Sequence, residues 1–333
     1  MAVIIPARNA GNSLGECLAA LRATGVPGPH GELFVIDDGS EDDTAKIAAA
    51  AGVAVLNGCG RGPAAARNLG ARQANADVLV FLDADTAPEP GWLAALLRPF
   101  EEPGIVAVKG RYVTRQNGIV PRFSQLEFEE KYARLERAEH VDFVDTGTAA
   151  YRRDVFLAAG GFDESFPAQS AEDVELAFRL AEQGARFAFS PAARVRHVHA
   201  ESLRAYLYKK ARYGFFRVTV YRRHPTKLKG DSYTPPWMGV QIVLAGVLPL
   251  VVLGRLIGLP RGLTRAALLA FAGTCVPLLR RAWLTDRGLL PCVVPLSYAR
   301  AFAQGLGLGL GLAATFVTRN QPAQRERVPS ARN

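Results

Sequence analysis

The sequence predicts an α/β protein with a mostly parallel sheet and helices on both faces, followed by C-terminal apolar helices. From residue 2 to about residue 198, short β-type runs alternate with single helix-type segments. Strands that are separated by one helix form βαβ units, whose strands pair in parallel. The rest of the chain carries long apolar runs, and the first of them, 237–254, contains no charged side chain.

Four strand–helix pairs are predicted in the first hundred residues. The strands cover 3–5, 33–36, 53–56 and 78–82, and the helices cover 14–23, 44–51, 63–74 and 92–100. Beyond Pro121 the pattern predicts a charged helix over 122–137, a strand pair around 141–151 and a helix through 174–182. Because 49% of the residues are hydrophobic, the chain can form a substantial core and is not a disordered chain.

Charge is divided unevenly along the chain. The 40 Lys and Arg residues outnumber the 31 Asp and Glu residues, which gives a formal charge of +9. Residues 1–190 carry 18 basic and 27 acidic side chains, whereas 191–235 and 236–333 each carry 11 basic and 2 acidic ones. The chain is an acidic half followed by two basic parts, so the net charge does not by itself indicate nucleic-acid binding.

Basic and aromatic residues alternate between 191 and 235, directly before the apolar run. Such a stretch can bind RNA by stacking and phosphate contacts, but it matches no nucleic-acid-binding module. Beside an apolar run, basic residues meet anionic headgroups and aromatic residues lie at the membrane interface. We expect a membrane-surface segment and no nucleic-acid partner, with a solvated helix face as the alternative.

The apolar run 237–254 is close to the length that crosses about 30 Å of hydrocarbon, although a buried helical hairpin is the alternative. Two later runs, 266–279 and 288–318, are shorter or interrupted. The first residues lack the long apolar region of a secretory signal and predict a buried cytosolic strand. The four cysteines, which form no C-x-x-C pair, are expected to be small buried side chains rather than a metal or redox site. They are Cys17, Cys59, Cys275 and Cys292.

Acidic side chains follow two of the predicted strands. Asp37 and Asp38 come after the second strand, and Asp83 and Asp85 come after the fourth. Ligands of open α/β sheets bind at the carboxyl ends of the strands, where these acids are expected to lie. Of the second pair, one carboxylate can hold Mg²⁺ or Mn²⁺ and the other a ribose hydroxyl, although such acids also cap helices.

A glycine-rich turn opens the third helix. Pro63 suits the first helical position, and Arg67 and Asn68, one turn later, can reach a phosphate or a base. The G-x-G-x-x-G pattern is absent after the first strand, and the Lys-Ser/Thr of a P-loop is absent here. These absences argue against a dinucleotide-binding dehydrogenase and a P-loop nucleotidase.

Two further groups of polar residues come later in the chain. Glu172 and Asp173 begin a predicted helix, where the helix dipole alone favours acids. The preceding string at 160–164 looks like a flexible loop over a pocket. His197 and His199 end a strand and can complete a metal site with carboxylates, although histidines in such positions are usually structural.

Taken in order, these motifs resemble the family 2 glycosyltransferases of GT-A fold over residues 2 to 200. The residues that carry the resemblance are Pro6-x-x-Asn9, Val35-Ile36-Asp37-Asp38-Gly39-Ser40, Gly62-Pro63-x-x-x-Arg67-Asn68, Phe81-Leu82-Asp83-Ala84-Asp85, Thr146-Gly147-x-x-x-Tyr151-Arg152-Arg153, Gly160-Gly161-Phe162-Asp163-Glu164 and Glu172-Asp173-x-Glu175-Leu176 with x-x-Arg179. The fold that the resemblance implies is a Rossmann-like nucleotide-sugar-binding domain.

The resemblance implies an inverting transferase that uses a nucleotide-sugar and a divalent metal, Mn²⁺ or Mg²⁺. Asp173, beside Glu172, would be the catalytic base, and Asp85 would bind the metal with help from His197 or His199. The residues that would cradle the nucleotide are Pro6, Ala7, Asn9, Asp37, Asp38, Arg67 and Asn68, with Asp83 facing the ribose or the sugar. The Q-x-x-R-W signature of processive synthases is absent, which favours transfer of a single sugar.

The expected organisation has four parts: a catalytic domain over 1–200, a basic and aromatic membrane-surface segment over 201–236, transmembrane or re-entrant helices over 237–318 and a basic disordered tail over 319–333. It implies a lipid-linked or cell-envelope acceptor and a bacterial inner-membrane protein whose catalytic domain faces the cytoplasm. Two alternatives stay open: a sugar nucleotidyltransferase, and a membrane-associated nucleotide-sugar-binding protein without transfer activity.

Overall fold

A computed structural model of the chain describes residues 1–28, 30–138, 141–166, 170–232 and 234–320. The strands are β1 (Ala2–Ala7), β2 (Glu32–Asp37), β3 (Ala54–Asn57), β4 (Val78–Leu82), β5 (Thr86–Pro88), β6 (Ile105–Val113), β7 (Thr148–Arg152) and β8 (Arg186–His197). The helices are α1 (Leu14–Ala23), α2 (Thr44–Ala50), α3 (Pro63–Gln73), α4 (Trp92–Leu97), α5 (Ile119–Leu135), α6 (Arg153–Ala158), α7 (Glu172–Glu182), α8 (Leu203–Arg223), α9 (Pro236–Gly254), α10 (Arg261–Thr274), α11 (Val276–Thr285) and α12 (Leu290–Asn320). Most of the predicted tail, 321–333, lies outside the described residues.

The eight strands form one sheet in the order β3-β2-β1-β4-β7-β6-β8-β5. The first four strands pair in parallel as predicted, with Ala7 beside Asp37 at the carboxyl ends. The other half is mixed, because β7 runs antiparallel to both of its neighbours and β5 runs antiparallel to β8. The strand pair expected around 141–151 is a single strand, β7, whose partners β4 and β6 come from elsewhere in the chain.

Helices cover both faces of the sheet. Val3 and Ile5 of β1 point to the face that α1, α2 and α4 cover, and the intervening Ile4 points to the face of α3, α6 and α7. This alternation is the period of two that a strand buried on both faces requires. Apolar residues thus fill both faces of the sheet, and the polar residues that follow the strands lie at its edge.

The C-terminal helices pack onto the sheet domain through α5 and α8. Phe123 and Leu126 of α5 share a buried cluster with Phe271, Leu278 and residues of α9 and α12. Helix α12 lies along α8, so the parts predicted as separate segments, 201–236 and 237–318, are in close contact.

Helices α9 and α10 form an antiparallel pair. Gln241 near the start of α9 donates to the carbonyl oxygen of Thr274 at the end of α10, at 3.2 Å. Among the described residues, one helix, extending from Pro236 to Ile257, is long and apolar enough to cross a membrane. Helices α10 and α11 pass the same test together but are bent by 50° at their junction. The first apolar run thus matches its prediction as a helix of spanning length.

Candidate active site

A cavity of about 1440 Å³ lies between the carboxyl edge of the sheet and helices α5, α7, α8 and α9. Asp83, Asp85, Asp173 and His197 all line it. Residues that are far apart in the sequence therefore meet in one space, which the strand-end argument had predicted for Asp83 and Asp85.

Asp83 and Asp85 flank a tight turn after β4. The backbone N–H and the hydroxyl of Thr86 both donate to the carbonyl oxygen of Asp83, at 3.1 and 2.7 Å. Asp85 is 46% exposed toward the cavity, yet the depth of the site and the nearby charge of Asp83 raise its pKa to about 6. Two carboxylates this close repel each other, and a cation between them would relieve that repulsion.

His197, at the end of β8, lies beside Asp85 in the cavity. Its Nε2 lies 4.0 Å from Asp85 Oδ2, and its ring packs on Tyr112 at a centroid distance of 4.7 Å. Burial, followed by the charge of Lys209, lowers the pKa of His197 to about 4. The imidazole is therefore neutral near pH 7, which is the form that binds metals.

His199 lies beside His197 but has a different environment. Its Nε2 forms a hydrogen bond of 2.9 Å with Gln125 Oε1, and its ring stacks on Phe128. Burial and the adjacent His197 lower its pKa to about 3. Of the two histidines, His197 is the one placed beside a carboxylate.

Asp85 and His197 offer one carboxylate and one neutral imidazole, a pair of donors that suits a divalent cation of the Mn²⁺ or Mg²⁺ type. The separation of 4.0 Å between Asp85 and His197 allows both to contact one ion at metal–ligand distances of about 2.1 Å. Within the described ranges, no group of three or more His, Cys, Asp or Glu side chains converges on a point. A metal here would therefore take further ligands from substrate or water.

Arg67 joins the two acidic ends of the site. Its buried guanidinium donates from Nη2 to Asp83 Oδ1 at 2.8 Å and from Nη1 to Glu172 Oε1 at 3.1 Å. Glu172 also accepts the backbone N–H of Ser170 at 2.9 Å. Arg67 and Glu172 thereby fix the first turn of α7, where Asp173 lies.

Asp173 has an environment that disfavours its charged form. Burial, then the charges of Glu172 and Asp145, raise its pKa to about 7. A hydrogen bond from the N–H of Val174, at 2.8 Å, and the charge of Arg67 oppose that shift. Asp173 therefore exchanges a proton near neutral pH, as a general base must.

Sequence reasoning missed Asp145, which forms an ion pair with the buried Lys109 and lines the cavity. Asp145 directly precedes Thr146-Gly147, so its place beside a recognised motif was an available signal. Lys109 lies within β6, a strand that was not predicted, because its alternation is interrupted by Lys109 and Gly110.

The nucleotide end of the predicted site is organised by backbone hydrogen bonds. Asn9, with a φ of 51°, accepts the N–H of Glu41 at 2.9 Å. Asp37 accepts the N–H of Ser40 at 3.0 Å. Asp38 accepts the N–H of Gly62 at 2.8 Å. These contacts place the ends of β1 and β2 beside the start of α3, while Pro6 and Ala7 pair with β2 inside the sheet.

Asn68 and the loop at 160–164 are bound to each other. Asn68 donates to the carbonyl oxygen of Phe162 at 2.8 Å and accepts the N–H of Phe162 at 2.9 Å. The loop is also held by Arg179, which donates to the carbonyl oxygen of Gly161 at 2.8 Å, and by Arg61. Several hydrogen bonds thus hold residues 160–164 against α3 and α7, and the flexibility of the loop stays a prediction. The assignment of Asn68 to the nucleotide stays a prediction.

Two residues of α8, Lys209 and Tyr213, also line the cavity. Sequence reasoning placed them in a membrane-surface segment, because basic and aromatic residues alternate there without a helical pattern that singles out one face. Lys210 forms an ion pair with the buried Glu127 at 2.9 Å.

Glu127 is the centre of a buried polar cluster. Arg300 of α12 donates to it at 2.6 Å and also to Gln241 of α9, and Tyr206 of α8 donates to it at 2.8 Å. Burial would raise the pKa of Glu127, but Lys210 and Arg300 lower it to about 2. The cavity wall is thus tied to the C-terminal helices by charge.

Comparisons with a family profile and with curated proteins both find glycosyltransferases. Residues 2–158 match the profile described as Glycosyl transferase family 2. A pre-mycofactocin glycosyltransferase of Mycobacterium tuberculosis is 35% identical over 237 residues, which are 68% of this chain and 48% of the relative. A glucosyl-dolichyl phosphate glucuronosyltransferase of Haloferax volcanii is 30% identical over 183 residues, which are 50% of this chain and 58% of the relative. The chain spans about half the length of these curated relatives.

The fold is shared with a mannosyltransferase of Pyrobaculum calidifontis solved in complex with GDP-Man and Mn²⁺. The TM-score is 0.61 at 21% identity, and the match covers 92% of this chain and 86% of that one. The predicted GT-A fold is thereby confirmed.

Proposed function

Because residues 2–158 belong to glycosyl transferase family 2, we propose that the chain is an inverting glycosyltransferase that moves one sugar from a nucleotide-diphosphate sugar to an acceptor hydroxyl. The observation that carries the proposal is the position of Asp173, with a pKa of about 7, in the cavity that Asp83 and Asp85 also line. A carboxylate with such a pKa can take a proton from a hydroxyl group near neutral pH.

In the proposed reaction, Asp173 accepts the proton of the acceptor hydroxyl as its oxygen attacks the anomeric carbon. The bond between that carbon and the diphosphate oxygen breaks, and the nucleoside diphosphate leaves. General-base catalysis of this kind contributes roughly 10²- to 10⁴-fold to a rate. Arg67 and Glu172 hold the helix turn that carries Asp173, so its carboxylate is oriented before substrate arrives.

A divalent metal, Mn²⁺ or Mg²⁺, supplies Lewis-acid neutralisation of charge on the leaving diphosphate when bound. Asp85 and His197 would hold it, and Asp83, fixed by Arg67, would face the ribose or the sugar. Support for this assignment comes from the repulsion between the two aspartates and from the neutral imidazole beside them.

The acceptor in this proposal is lipid-linked or part of the cell envelope, and the protein lies at the bacterial inner membrane with its catalytic domain in the cytoplasm. Apolar side chains of α9 support membrane insertion, since Val243 is 62% and Leu250 66% exposed. The cavity that Asp173 lines also extends to Trp237 and Ile242 of the same helix, which gives an acceptor held in the membrane a route to Asp173.

A second candidate acceptor is suggested by the relative from Mycobacterium tuberculosis, whose name gives pre-mycofactocin as its substrate. The similarity to it extends over 68% of this chain. Transfer to pre-mycofactocin without added lipid would favour this acceptor over a lipid-linked one.

The full chain in detergent or in vesicles, incubated with Mn²⁺ and a panel of nucleotide-sugars, tests the proposal. We expect release of UDP or GDP from one donor, and loss of that release in Asp173→Asn. A sugar nucleotidyltransferase would instead join a sugar phosphate to the nucleotide of an added nucleoside triphosphate, with release of pyrophosphate and formation of a nucleotide-sugar. Binding of a donor by the wild type without turnover, in the presence of candidate acceptors, would indicate the non-catalytic alternative.

A further inference from the structure

Helix α8 carries two consecutive lysines with different surroundings. Lys210 is paired with Glu127 at 2.9 Å. Lys209 forms no ion pair with any residue that the structure describes, and its neighbour is the ring of Tyr213, 5.9 Å away and one helical turn later. A lysine without a carboxylate partner next to a cavity is available to an anionic ligand.

The side chain of Lys209 is exposed, and it lines the same cavity as Asp83, Asp85 and Asp173. Lys209 and the acidic residues influence each other's charge. Lys209 opposes the rise in the pKa of Asp85, and Tyr213, Asp85 and Asp83 raise the pKa of Lys209. Lys209 therefore remains protonated near pH 7 and lies in the same cavity as these carboxylates.

The position of Lys209 is fixed by close packing of α8 on α12. A Cβ at Gly214 would meet the carbonyl oxygen of Gln304, and a Cβ at Gly307 would meet that of Ala211. The alternating glycines of α12 thus let the two backbones approach closely. The ion pair of Lys210 adds a second attachment one residue away.

The chemistry of this wall suits a phosphate group. An ammonium group binds phosphate as a point charge, and a phenol hydroxyl can donate to a phosphate oxygen. The carboxylates that line the same cavity would repel an isolated anion, so the favoured ligand is a phosphate group that enters together with a divalent cation. Nucleoside diphosphates and phosphate esters of lipids both have this chemistry.

We propose that Lys209 and Tyr213 form a phosphate-binding pair in the wall of the active-site cavity. The inference rests on the proposed function, because the phosphate belongs either to the diphosphate of the donor or to a phosphate group on the acceptor. In either case the pair binds the substrate from α8, in the cavity that Asp85 also lines.

Binding of UDP and GDP to the full chain in detergent with Mn²⁺, followed by calorimetry, tests the first source. If the pair binds the donor diphosphate, Lys209→Met weakens nucleoside diphosphate binding by about 10-fold or more. Lys209→Arg keeps the charge and retains most of the affinity, and Tyr213→Phe has a smaller effect than Lys209→Met. Lys46→Met, which removes an exposed lysine of α2, leaves binding unchanged.

Transfer in vesicles that contain polyprenyl phosphate tests the second source. If the pair binds an acceptor phosphate, Lys209→Met leaves UDP and GDP binding intact and raises the KM for the lipid by about 10-fold or more. Unchanged nucleotide affinity together with an unchanged KM in Lys209→Met overturns the inference and leaves the proposed function standing. A wild type that neither binds a nucleotide nor transfers a sugar overturns both.

Discussion

Arg67 of α3 forms a buried ion pair with Glu172 of α7, with 3.1 Å between Nη1 and Oε1. The same guanidinium holds Asp83, so one arginine without solvent exposure positions carboxylates at two ends of the site. Arg67→Met leaves these acids unpaired, and removing one partner of a buried pair costs about 3–5 kcal/mol. We expect a lower midpoint in chemical denaturation and strongly reduced turnover.

Arg72→Met provides the matched control for Arg67→Met. Arg72 lies on the same helix, its side chain is 54% exposed, and its ion pair with Glu164 is long, at 3.8 Å. Exposed pairs contribute about 0–1 kcal/mol, so this variant should stay near the wild-type midpoint. Equal midpoints for the two variants would contradict a structural role for the buried arginine.

The pKa of Asp173, about 7, predicts the acidic limb of the pH–rate profile. As a base, Asp173 must be deprotonated, so kcat/KM should rise with pH up to about 7 and then level off. Asp173→Asn should lose turnover but keep donor binding, because the amide has the same shape and cannot accept the proton. An Asn variant that loses donor binding and turnover in equal measure would refute the assignment as base.

The raised pKa of Asp173 also has a consequence for stability. Burial raises the folded-state pKa above its usual value of 3.8, so the unfolded chain binds fewer protons between these values and stability falls as pH rises from about 4 to about 7. Asp173→Asn lacks this loss. Thermal unfolding should therefore show that the stability of the variant relative to the wild type is higher at pH 8 than at pH 4. A stability difference that does not change with pH would contradict a raised pKa for the buried Asp173.

Asp85→Ala tests the metal assignment. The variant removes the carboxylate that we propose as a metal ligand beside His197, so we expect donor affinity to become independent of Mn²⁺. Calorimetry with and without Mn²⁺ measures this directly. Asp43→Ala, at an exposed position directly before α2, is the control for loss of one carboxylate. Unchanged Mn²⁺-dependent affinity in Asp85→Ala would exclude Asp85 as a ligand.

The ion pair between Arg300 and Glu127, at 2.6 Å, joins α12 to the wall of the cavity. Arg300→Met should cost about 3–5 kcal/mol, because Glu127 is then buried with one cation fewer. Since the pKa of Glu127 is lowered from 4.5 to about 2, its contribution is present above pH 4.5 and is lost as pH falls toward 2. Denaturation at pH 7 and at pH 3 should show a smaller penalty for Arg300→Met at the lower pH.

This pair also explains why a truncation near Pro235 is a poor test of membrane dependence. Such a truncation removes Arg300 and the whole of α12, which packs along α8. A loss of activity could then result either from a disrupted cavity wall or from lost membrane binding. Substitutions on the exposed face of α9, such as Leu250→Ser, leave the cluster intact and test membrane binding by vesicle flotation.

The first four strands were predicted from the sequence, because βαβ units are local and β1, β2 and β3 are each followed by their own helix; the short β5 between β4 and α4 was not predicted. The antiparallel strand β7 was misjudged, because its partners β4 and β6 are distant in the chain. The acids after β2 and β4 were identified from their position at strand ends. Asp145, Lys209 and Glu127 were not identified as site residues, because their place in the cavity depends on how α5, α7 and α8 pack together.

The alternating glycines of α12 differ in what surrounds them, which gives a matched pair of substitutions. A Cβ at Gly307 would clash with the backbone of Ala211 in α8, whereas Gly309 has open space around it. Gly309→Ala should stabilise the helix by about 0.5–1 kcal/mol through helix propensity. Gly307→Ala should instead cost about 1–3 kcal/mol and reduce activity, because α8 and α12, which both line the cavity, must move apart. Thermal unfolding and nucleotide release measure both effects, and identical behaviour of the two variants would show that close packing of α8 on α12 does not hold the site.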